Sequence, residues 1–249
     1  MGTGIVFSGE VRMQIAPGLH SIRQDEGGHV HAFLIDDGTG FTLIDTLYNS
    51  DASIVLEEFK QMGRPVTDLK NIIVTHAHRS HIGGLATLKK LSNATVYSHE
   101  WEEDIIAGKR KATPVGLWPK PPLAVYKLQF GLAMGLAPHV PCPVDRALKD
   151  GDHVGPLEII AVPGHTPGCL AFYWRDRSAV IAGDVVVTWP EIAPGWAGLT
   201  LDNAENLRSV GKLADALTSE ILCVGHGEPI TTGGSDVLRK LRDGKKVQL

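Results

Sequence analysis

The chain has 249 residues, of which 43% are hydrophobic and 21% charged, and its net charge is −4 with the histidines counted as neutral. This composition is ordinary for a globular enzyme with a substantial buried core. It offers no basic surface of the kind that binds a phosphate backbone, and no run of about eighteen uninterrupted apolar residues that would span a bilayer. We therefore expect neither a nucleic-acid partner nor a membrane partner.

The cysteines and the first residues favour a cytoplasmic location. Cys142, Cys169 and Cys223 are odd in number and have no paired spacing, which fits a reducing compartment. Residues 1–13, MGTGIVFSGEVRM, show no basic region followed by a long apolar run, so we predict no signal peptide. They do not complete a myristoylation pattern either, because position 6 is Val.

Short β-branched and aromatic runs, each ended by Gly, Pro or Asp, predict strands in both halves of the chain. The turn DDGTG (36–40) joins the first two of them and predicts a hairpin. In chain order the predicted elements are strands at 30–38 and 40–47, a helix at 51–62, a strand at 69–76, a helix at 85–91, strands at 94–100, 157–165, 169–175 and 178–184, a helix at 202–218 and a strand at 221–227. We predict a single domain, with a helical lid or pocket insert at about 108–145.

Four of these strands share one feature, because each is apolar and is followed by His or Asp at its C-terminal end. The segments are IIVTH (72–76), IIAVPGH (159–165), VIAGD (180–184) and ILCVGHG (221–227). Buried strands that carry polar side chains at one edge place a site on a rigid scaffold. Strands and helices in both halves predict an α/β fold of two packed sheets with helices outside.

The densest group of histidines lies in THAHRSHIGG (75–84), where His76, His78 and His81 fall within six positions. Neutral imidazole is a common ligand of borderline metals, and two histidines at a strand-to-helix turn reach one cation. A single histidine at a strand end is more often structural. The whole set of histidines and aspartate at strand ends predicts a metal site.

Together with PGHTPG (163–168), AGD (182–184) and GHGEP (225–229), this stretch resembles the motif set of the metallo-β-lactamase-fold hydrolase superfamily. The order and spacing match over about residues 15–235. The resemblance implies a four-layer αββα sandwich, with two mixed sheets, outer helices and a mononuclear or dinuclear metal site at one edge of the sheets.

The resemblance also implies which side chains hold metal. They are His76, His78 and His165 for a first metal, His81 and His226 for a second, and Asp184 as the carboxylate that bridges both. Zinc is the expected metal, with iron or manganese as alternatives. Asp45 resembles a carboxylate that holds a ligand histidine, and a structural role in a turn is the alternative.

One position departs from the family's usual motif, His-x-His-x-Asp-His, since Ser80 stands where the Asp of the second metal is expected. A neutral hydroxyl supplies one negative charge fewer than a carboxylate, so the second site holds a dication less well. We expect one tightly bound zinc and a weak or absent second metal. Asp184 and Ser80 are the candidate catalytic residues, which orient the attacking water or take a proton from it.

The loop after Asp184 is expected to wall the substrate pocket. It contains Trp189, Ile192 and Trp196 but no Lys or Arg between 185 and 201, which favours an apolar or neutral acyl group over a heavily anionic conjugate. The insert supplies Trp118 as another candidate pocket residue. A homodimer face is the alternative role of the insert.

We expect a zinc-dependent hydrolase in which a metal-bound hydroxide attacks the acyl carbonyl of a small-molecule substrate. A lactone, a thioester or another ester is favoured over a β-lactam. The alternative is a metal-binding protein that holds a ligand without turnover, either because its lineage has lost catalysis or because Ser80 was introduced to inactivate it.

Overall fold

A seven-stranded and a five-stranded sheet pack face to face in the computed structural model, which describes residues 12–136 and 138–247. The predictions about a signal peptide and myristoylation concern residues 1–13, of which residues 1–11 lie outside this part of the chain. Within the described ranges, every helix is too short or too polar to cross a bilayer.

The first sheet is mixed. Its strands follow chain order: β1 (Arg12–Ala16), β2 (Leu19–Gln24), β3 (Val30–Asp36), β4 (Phe41–Ile44), β5 (Leu69–Ile73), β6 (Thr95–His99) and β7 (Arg146–Leu148). Neighbours from β1 to β4 are antiparallel, and neighbours from β4 to β7 are parallel. The parallel half therefore sends the C-terminal ends of β4, β5 and β6 to one edge.

The second sheet is also mixed and has the order β12-β11-β10-β9-β8. Its strands are β8 (His153–Val154), β9 (Leu157–Ala161), β10 (Leu170–Trp174), β11 (Ala179–Ile181) and β12 (Ile221–Cys223). β10 runs antiparallel to both β9 and β11, and β11 is parallel to β12. Strands β9, β11 and β12 therefore point the same way and end at the same edge.

Helices cover the outer faces of both sheets. The helices are α1 (Ser53–Gln61), α2 (Arg79–Ile82), α3 (Leu85–Ser92), α4 (Glu100–Ile106), α5 (Tyr126–Ala133), α6 (Asn203–Ala216) and α7 (Gly234–Arg242), with 3₁₀ turns at Val66–Asp68, Leu123–Val125, Arg175–Arg177 and Gly183–Val185. Of these, α5 is not part of either outer face, because its Leu128 packs against the cluster that contains Val125 and Trp196 instead. Helix α6 begins where the Asp202 carboxylate accepts a hydrogen bond from Glu205 N, and it buries Val210 and Leu213.

Most buried apolar side chains form three layers, and a smaller cluster contains Val125, Val187, Trp196 and Leu199. One lies between the first sheet and helices α1, α3 and α4, where Phe59 and Leu88 are buried. The middle layer lies between the two sheets and includes Phe33 and Phe172. The third joins the second sheet to α6 and α7. This is the αββα sandwich that the sequence predicted, so the predicted fold class is confirmed.

The predicted elements agree with the structure apart from their ends and a few omissions. The strand predicted at 94–100 ends one residue early, because the His99 side chain accepts a hydrogen bond from Trp101 N and so caps α4. The prediction omitted β1, β2, β7 and β8 as well as α2, α4 and α7. In the predicted insert, helix α5 follows the 3₁₀ turn at Leu123–Val125.

The two sheets are joined at their common edge by a buried carboxylate. Glu102, in the first turn of α4, is completely buried. Its Oε2 accepts a hydrogen bond from Ala77 N at 3.1 Å, and its Oε1 accepts one from Thr166 Oγ1 at 2.5 Å. The amide of Gly168 donates to the same carboxylate. Glu102 thereby fixes the loop after β5 to the loop after β9.

Burial raises the pKa of Glu102 to about 7 despite these hydrogen bonds. In the unfolded chain the pKa returns to its ordinary value of 4.5. Between these two values the native state holds a proton that the unfolded chain has released, so stability falls as the pH rises through this window. Above this window Glu102 is deprotonated in both states, so its contribution to the free energy of unfolding no longer changes with pH.

We expect Glu102→Gln to remove this pH dependence, because an amide does not titrate. We expect Glu102→Ala to lower the free energy of unfolding by about 2–5 kcal/mol, since it strands buried donors. Urea unfolding of chelator-treated protein at pH 5 and pH 8 measures both effects. Glu103→Gln, on the same helix, is the matched control. An identical pH dependence in wild type and Glu102→Gln would contradict the assignment.

Candidate metal centre

The structure brings all six predicted metal ligands together at the common edge of the two sheets. They are His76, His78 and His81 after β5, His165 after β9, Asp184 after β11 and His226 after β12. Each is at most 8% exposed. Two groups form, and Asp184 belongs to both.

The first group contains His76, His78, His165 and Asp184, whose ligand atoms all lie within 4.8 Å of one another. His78 Nδ1 is 3.1 Å from His76 Nε2 and 3.0 Å from His165 Nε2. Asp184 Oδ2 lies 3.5 Å from His165 Nε2 and 3.8 Å from His76 Nε2. Three imidazole nitrogens and one carboxylate oxygen thus surround a single point.

The second group contains His81, His226 and the same aspartate. The Nε2 atoms of the two histidines are 3.2 Å apart. His226 Nε2 lies 3.3 Å from Asp184 Oδ2, and His81 Nε2 lies 3.4 Å from Asp184 Oδ1. Asp184 therefore lies between the two groups of histidines.

The surroundings of Asp184 fit a metal ligand. Its Oδ1 is buried and forms no hydrogen bond within the described part of the chain. A Cβ atom at Gly225 would approach this oxygen to 2.0 Å, so the backbone leaves room for the carboxylate only because residue 225 has no side chain. A buried carboxylate oxygen without a donor needs a cation or a water molecule.

The protonation states also suit metal binding. Burial, together with the neighbouring imidazoles, lowers the pKa of His76 and His78 well below the ordinary value, and burial lowers that of His165 to about 4. Burial alone would raise the pKa of Asp184, but the imidazoles of His226 and His81 hold it well below the usual range. Neutral imidazoles and an ionised carboxylate are the donor set that binds a divalent metal.

Asp45 holds His81 in place. Its Oδ2 is 2.8 Å from His81 Nδ1, and it also accepts a hydrogen bond from Thr75 Oγ1, while Oδ1 accepts one from Thr75 N. Burial disfavours the charged form of His81, but the carboxylates of Asp184 and Asp45 outweigh it and raise the pKa to about 10. The position between these two carboxylates therefore favours positive charge.

Other ligand histidines are oriented through their second ring nitrogen. His226 Nδ1 lies 2.7 Å from the carbonyl oxygen of Gly28, and His76 Nδ1 lies 3.0 Å from Thr75 Oγ1. His165 Nδ1 lies 3.3 Å from Thr200 Oγ1. Contacts of this kind fix the ring orientation and leave the opposite nitrogen for a metal.

Ser80 lies at the mouth of the cluster. It is the second residue of α2, and its half-buried side chain lines the same cavity as His78, Asp184 and His226. Its hydroxyl has no hydrogen-bond partner in residues 12–136 and 138–247. Among the residues that the structure describes, Asp184 is the one acidic member of the second group, and no other carboxylate takes the place of Ser80 there.

A cavity of about 120 Å³, here called the metal-site cavity, opens beside the cluster. Besides His78, Ser80, Asp184 and His226, it is lined by Tyr48, Arg79, Lys127, Leu128, Gly131, Leu132, Leu136, Trp196 and Leu199. Most of the additional lining residues come from α5 and the residues after it. The insert thus forms one wall of this cavity.

Of the predicted pocket residues, only Trp196 lines the metal-site cavity. Trp189 packs edge-on against Trp196 at 6.0 Å and accepts a hydrogen bond from its Nε1, so it supports the wall from behind. Ile192 packs against the apolar layer beneath α6 and α7. Trp118 is 77% exposed on the outer surface of the insert. These three residues therefore lie outside the lining of this cavity.

The sequence predicted a helical lid or pocket insert in this region, but it did not identify the residues of α5 that line the cavity or the positive charge there. Leu128 and Leu132 are four residues apart, as are Lys127 and Gly131, so all four lie on one face of the helix. That spacing could have indicated, from the sequence alone, which residues of the helix share one face. Residues 185–201 contain no Lys or Arg. However, Arg79 and Lys127, which belong to other elements, place positive charge in the lining of the cavity.

The chain is similar to several known proteins along most of its length. The probable metallo-hydrolase YflN of Bacillus subtilis (strain 168) is 29% identical over 239 residues, 88% of this chain and 87% of the relative. A hydroxyacylglutathione hydrolase of Cereibacter sphaeroides is 29% identical over 202 residues, 79% of this chain and 62% of that relative.

A solved structure shares the fold. A metallo-beta-lactamase family protein from Thermus thermophilus superposes with a TM-score of 0.66 at 25% identity, covering 93% of this chain and 80% of that one. The model of the family described as the metallo-beta-lactamase superfamily matches residues 25–226, which include every residue of the two ligand groups. The chain therefore belongs to the metallo-beta-lactamase superfamily and is a hydrolase of that family.

Proposed function

We propose that this chain is a zinc-dependent acyl hydrolase that cleaves a lactone, a thioester or another ester. The observation that carries the proposal is the first ligand group, in which His76, His78, His165 and Asp184 converge beside a cavity with an apolar wall. Leu128, Leu132 and Trp196 in that wall suit the hydrocarbon part of an acyl substrate. Iron or manganese is the alternative metal.

His76, His78 and His165 would hold the metal through neutral imidazole nitrogens, with Asp184 completing the set. When bound, the metal acidifies a water molecule and polarises the carbonyl group of the substrate. Asp184 Oδ1 forms no hydrogen bond within the described residues, so it is available to orient the attacking water as a hydrogen-bond acceptor. The Ser80 hydroxyl, equally free, orients that water from the cavity side.

The second ligand group would hold metal less tightly than the first. It offers His81, His226 and a share of Asp184, whereas the first group offers three histidines and the same carboxylate. With Ser80 in place of a carboxylate, two dications would face a single negative charge, and each added dication raises the Coulomb energy of the buried site. We propose one tightly bound zinc and a weak second metal.

Two features favour a thioester or lactone over a β-lactam. The similar Cereibacter sphaeroides protein is named a hydroxyacylglutathione hydrolase, which is a thioester-cleaving activity. Cys142, Cys169 and Cys223 are all free and buried, which suits a reducing compartment such as the cytoplasm. We also propose that the insert can form the contact of a homodimer. We propose no nucleic-acid partner and no membrane partner.

The alternative function is a metal-binding protein without turnover. The half-buried, unbonded Ser80 hydroxyl is the observation that favours it, since it leaves the second group short of one carboxylate. Metal binding alone does not separate the two functions, because both require the first ligand group. Turnover of an ester by the metal-loaded chain does.

We expect the purified wild-type chain to hold about one zinc per chain after desalting, and Ser80→Asp to hold about two, because the carboxylate restores one negative charge to the second group. Elemental analysis after zinc titration measures this. Ser80→Ala is the control and should match the wild type. Two tightly held zincs in the wild type would show that His81, His226 and Asp184 suffice and that the charge argument is wrong.

We expect the zinc-loaded chain to hydrolyse an aryl lactone or S-lactoylglutathione, and His165→Ala to lower kcat/KM at least about a hundredfold because it removes a ligand. Chelation should abolish activity and added zinc should restore it. His153→Ala, at an exposed position outside both ligand groups, is the matched control. If wild type and Ser80→Asp both bound zinc yet cleaved no ester, thioester or lactam, the hydrolase proposal would fail.

A further inference from the structure

A larger cavity adjoins the metal-site cavity under the insert, with a volume of about 470 Å³. We call it the cationic cavity. Its charged and titratable lining residues are Arg79, Arg110, Lys111 and His139, and no Asp or Glu is among the described residues that line it. Arg79 and Leu132 line both cavities, so the cationic cavity begins next to the metal cluster.

The two arginines are held in place without being neutralised. Arg79 donates from Nε to the carbonyl oxygen of Tyr48 at 3.1 Å, and from Nη1 to that of Pro138. Arg110 lies over the Trp101 ring, 4.1 Å from its centroid, and donates to the carbonyl oxygen of the same residue. Neither arginine forms a salt bridge within residues 12–136 and 138–247.

The carboxylate of Glu102 interacts electrostatically with Arg110 but does not form a salt bridge with it. Glu102 is completely buried, and its carboxylate oxygens already accept hydrogen bonds from Ala77, Thr166 and Gly168. The guanidinium group of Arg110 therefore stays available to a ligand. Lys111 has neither a salt bridge nor a hydrogen bond from its side chain to any described residue. The cavity therefore keeps uncompensated positive charge beside an apolar surface that includes Ile105 and Leu132.

The metal-site cavity adds a further unpaired cation. Lys127, on the cavity-facing side of α5, forms no ion pair within the part of the chain that the structure describes. Pre-positioned guanidinium groups in a partly enclosed cavity bind carboxylate or phosphate more strongly than exposed ones do. Positive charge thus extends from the metal cluster into the cationic cavity.

We infer that the substrate is an acyl compound in which one half carries an anionic group, a carboxylate or a phosphate, that binds in the cationic cavity through Arg79, Arg110 and Lys111. This inference rests on the proposed function and names the substrate class of that same site. The reaction is unchanged, since water adds across the acyl bond, the C–S or C–O bond breaks, and a carboxylic acid and a thiol or alcohol are released.

Two matched pairs of thioesters test it with zinc-loaded protein. In one pair the leaving thiol is 3-mercaptopropionylglycine or its terminal amide, with a common acetyl group. In the other pair the acyl chain is succinyl or its terminal amide, with a common neutral thiol. We expect kcat/KM to be at least about tenfold higher for the carboxylate in one of the pairs, which corresponds to one charge-assisted hydrogen bond.

Charge reversal at neighbouring lysines supplies a matched control. Lys111→Glu should abolish the preference for the carboxylate, because it lowers kcat/KM for the carboxylate substrate much more than kcat/KM for the matched amide. Lys109→Glu should leave the preference intact, because Lys109 lies outside the lining and pairs with Asp104 at 3.8 Å. Both positions are exposed, so both variants should fold like the wild type. Raising the salt concentration should reduce the wild-type preference.

Equal rates for carboxylate and amide in both pairs would overturn this inference while leaving the acyl hydrolase intact. The same loss of preference in Lys111→Glu and Lys109→Glu would also overturn it, because it would point to net charge rather than to this cavity. Absence of hydrolysis for all four thioesters would overturn the proposed function and, with it, this inference.

Discussion

The structure depends on one buried carboxylate that is shared by two groups of histidines. Asp184 lies within 3.8 Å of His76, His81, His165 and His226, at the junction of two sheets. A buried carboxylate without full compensation costs several kcal/mol. The surrounding histidines compensate it in part, and a divalent cation shared by the two ligand groups would add to that compensation. The glycine at position 225 and the convergence of strand ends both serve to place this one group.

The sequence predicted the fold and the cluster because both depend on local patterns. Apolar runs ending in His or Asp mark the strands, and strands that run the same way within a sheet bring those ends to one edge. The burial of Glu102 between two loops could not be predicted from such local patterns. Glu100 and Glu103 precede and follow it in the segment EWEEDII, and only the rotation of α4 against both sheets buries Glu102 between the two loops.

The substrate side of the site was predicted less well than the metal side, and the reason is physical. Metal ligands need a specific chemistry, so His and Asp at strand ends are informative in themselves. A cavity wall needs only shape, and its residues come from elements distant in the chain. Trp196 lines the wall and Trp118 does not, although both are tryptophans in loops, because tertiary packing turns one inward and leaves the other exposed.

Ser80 and the unpaired cations have related electrostatic consequences. A serine at this position leaves the mouth of the cluster with one negative charge fewer than a carboxylate would give, while Arg79 and Lys127 line the same cavity. Positive potential is therefore higher here than in a site with a full set of acidic ligands, and it is strengthened by the low dielectric of a partly enclosed cavity. Such a potential disfavours a second dication and attracts an anion. A weak second metal and an anionic substrate thus follow from the same balance of charge around Asp184.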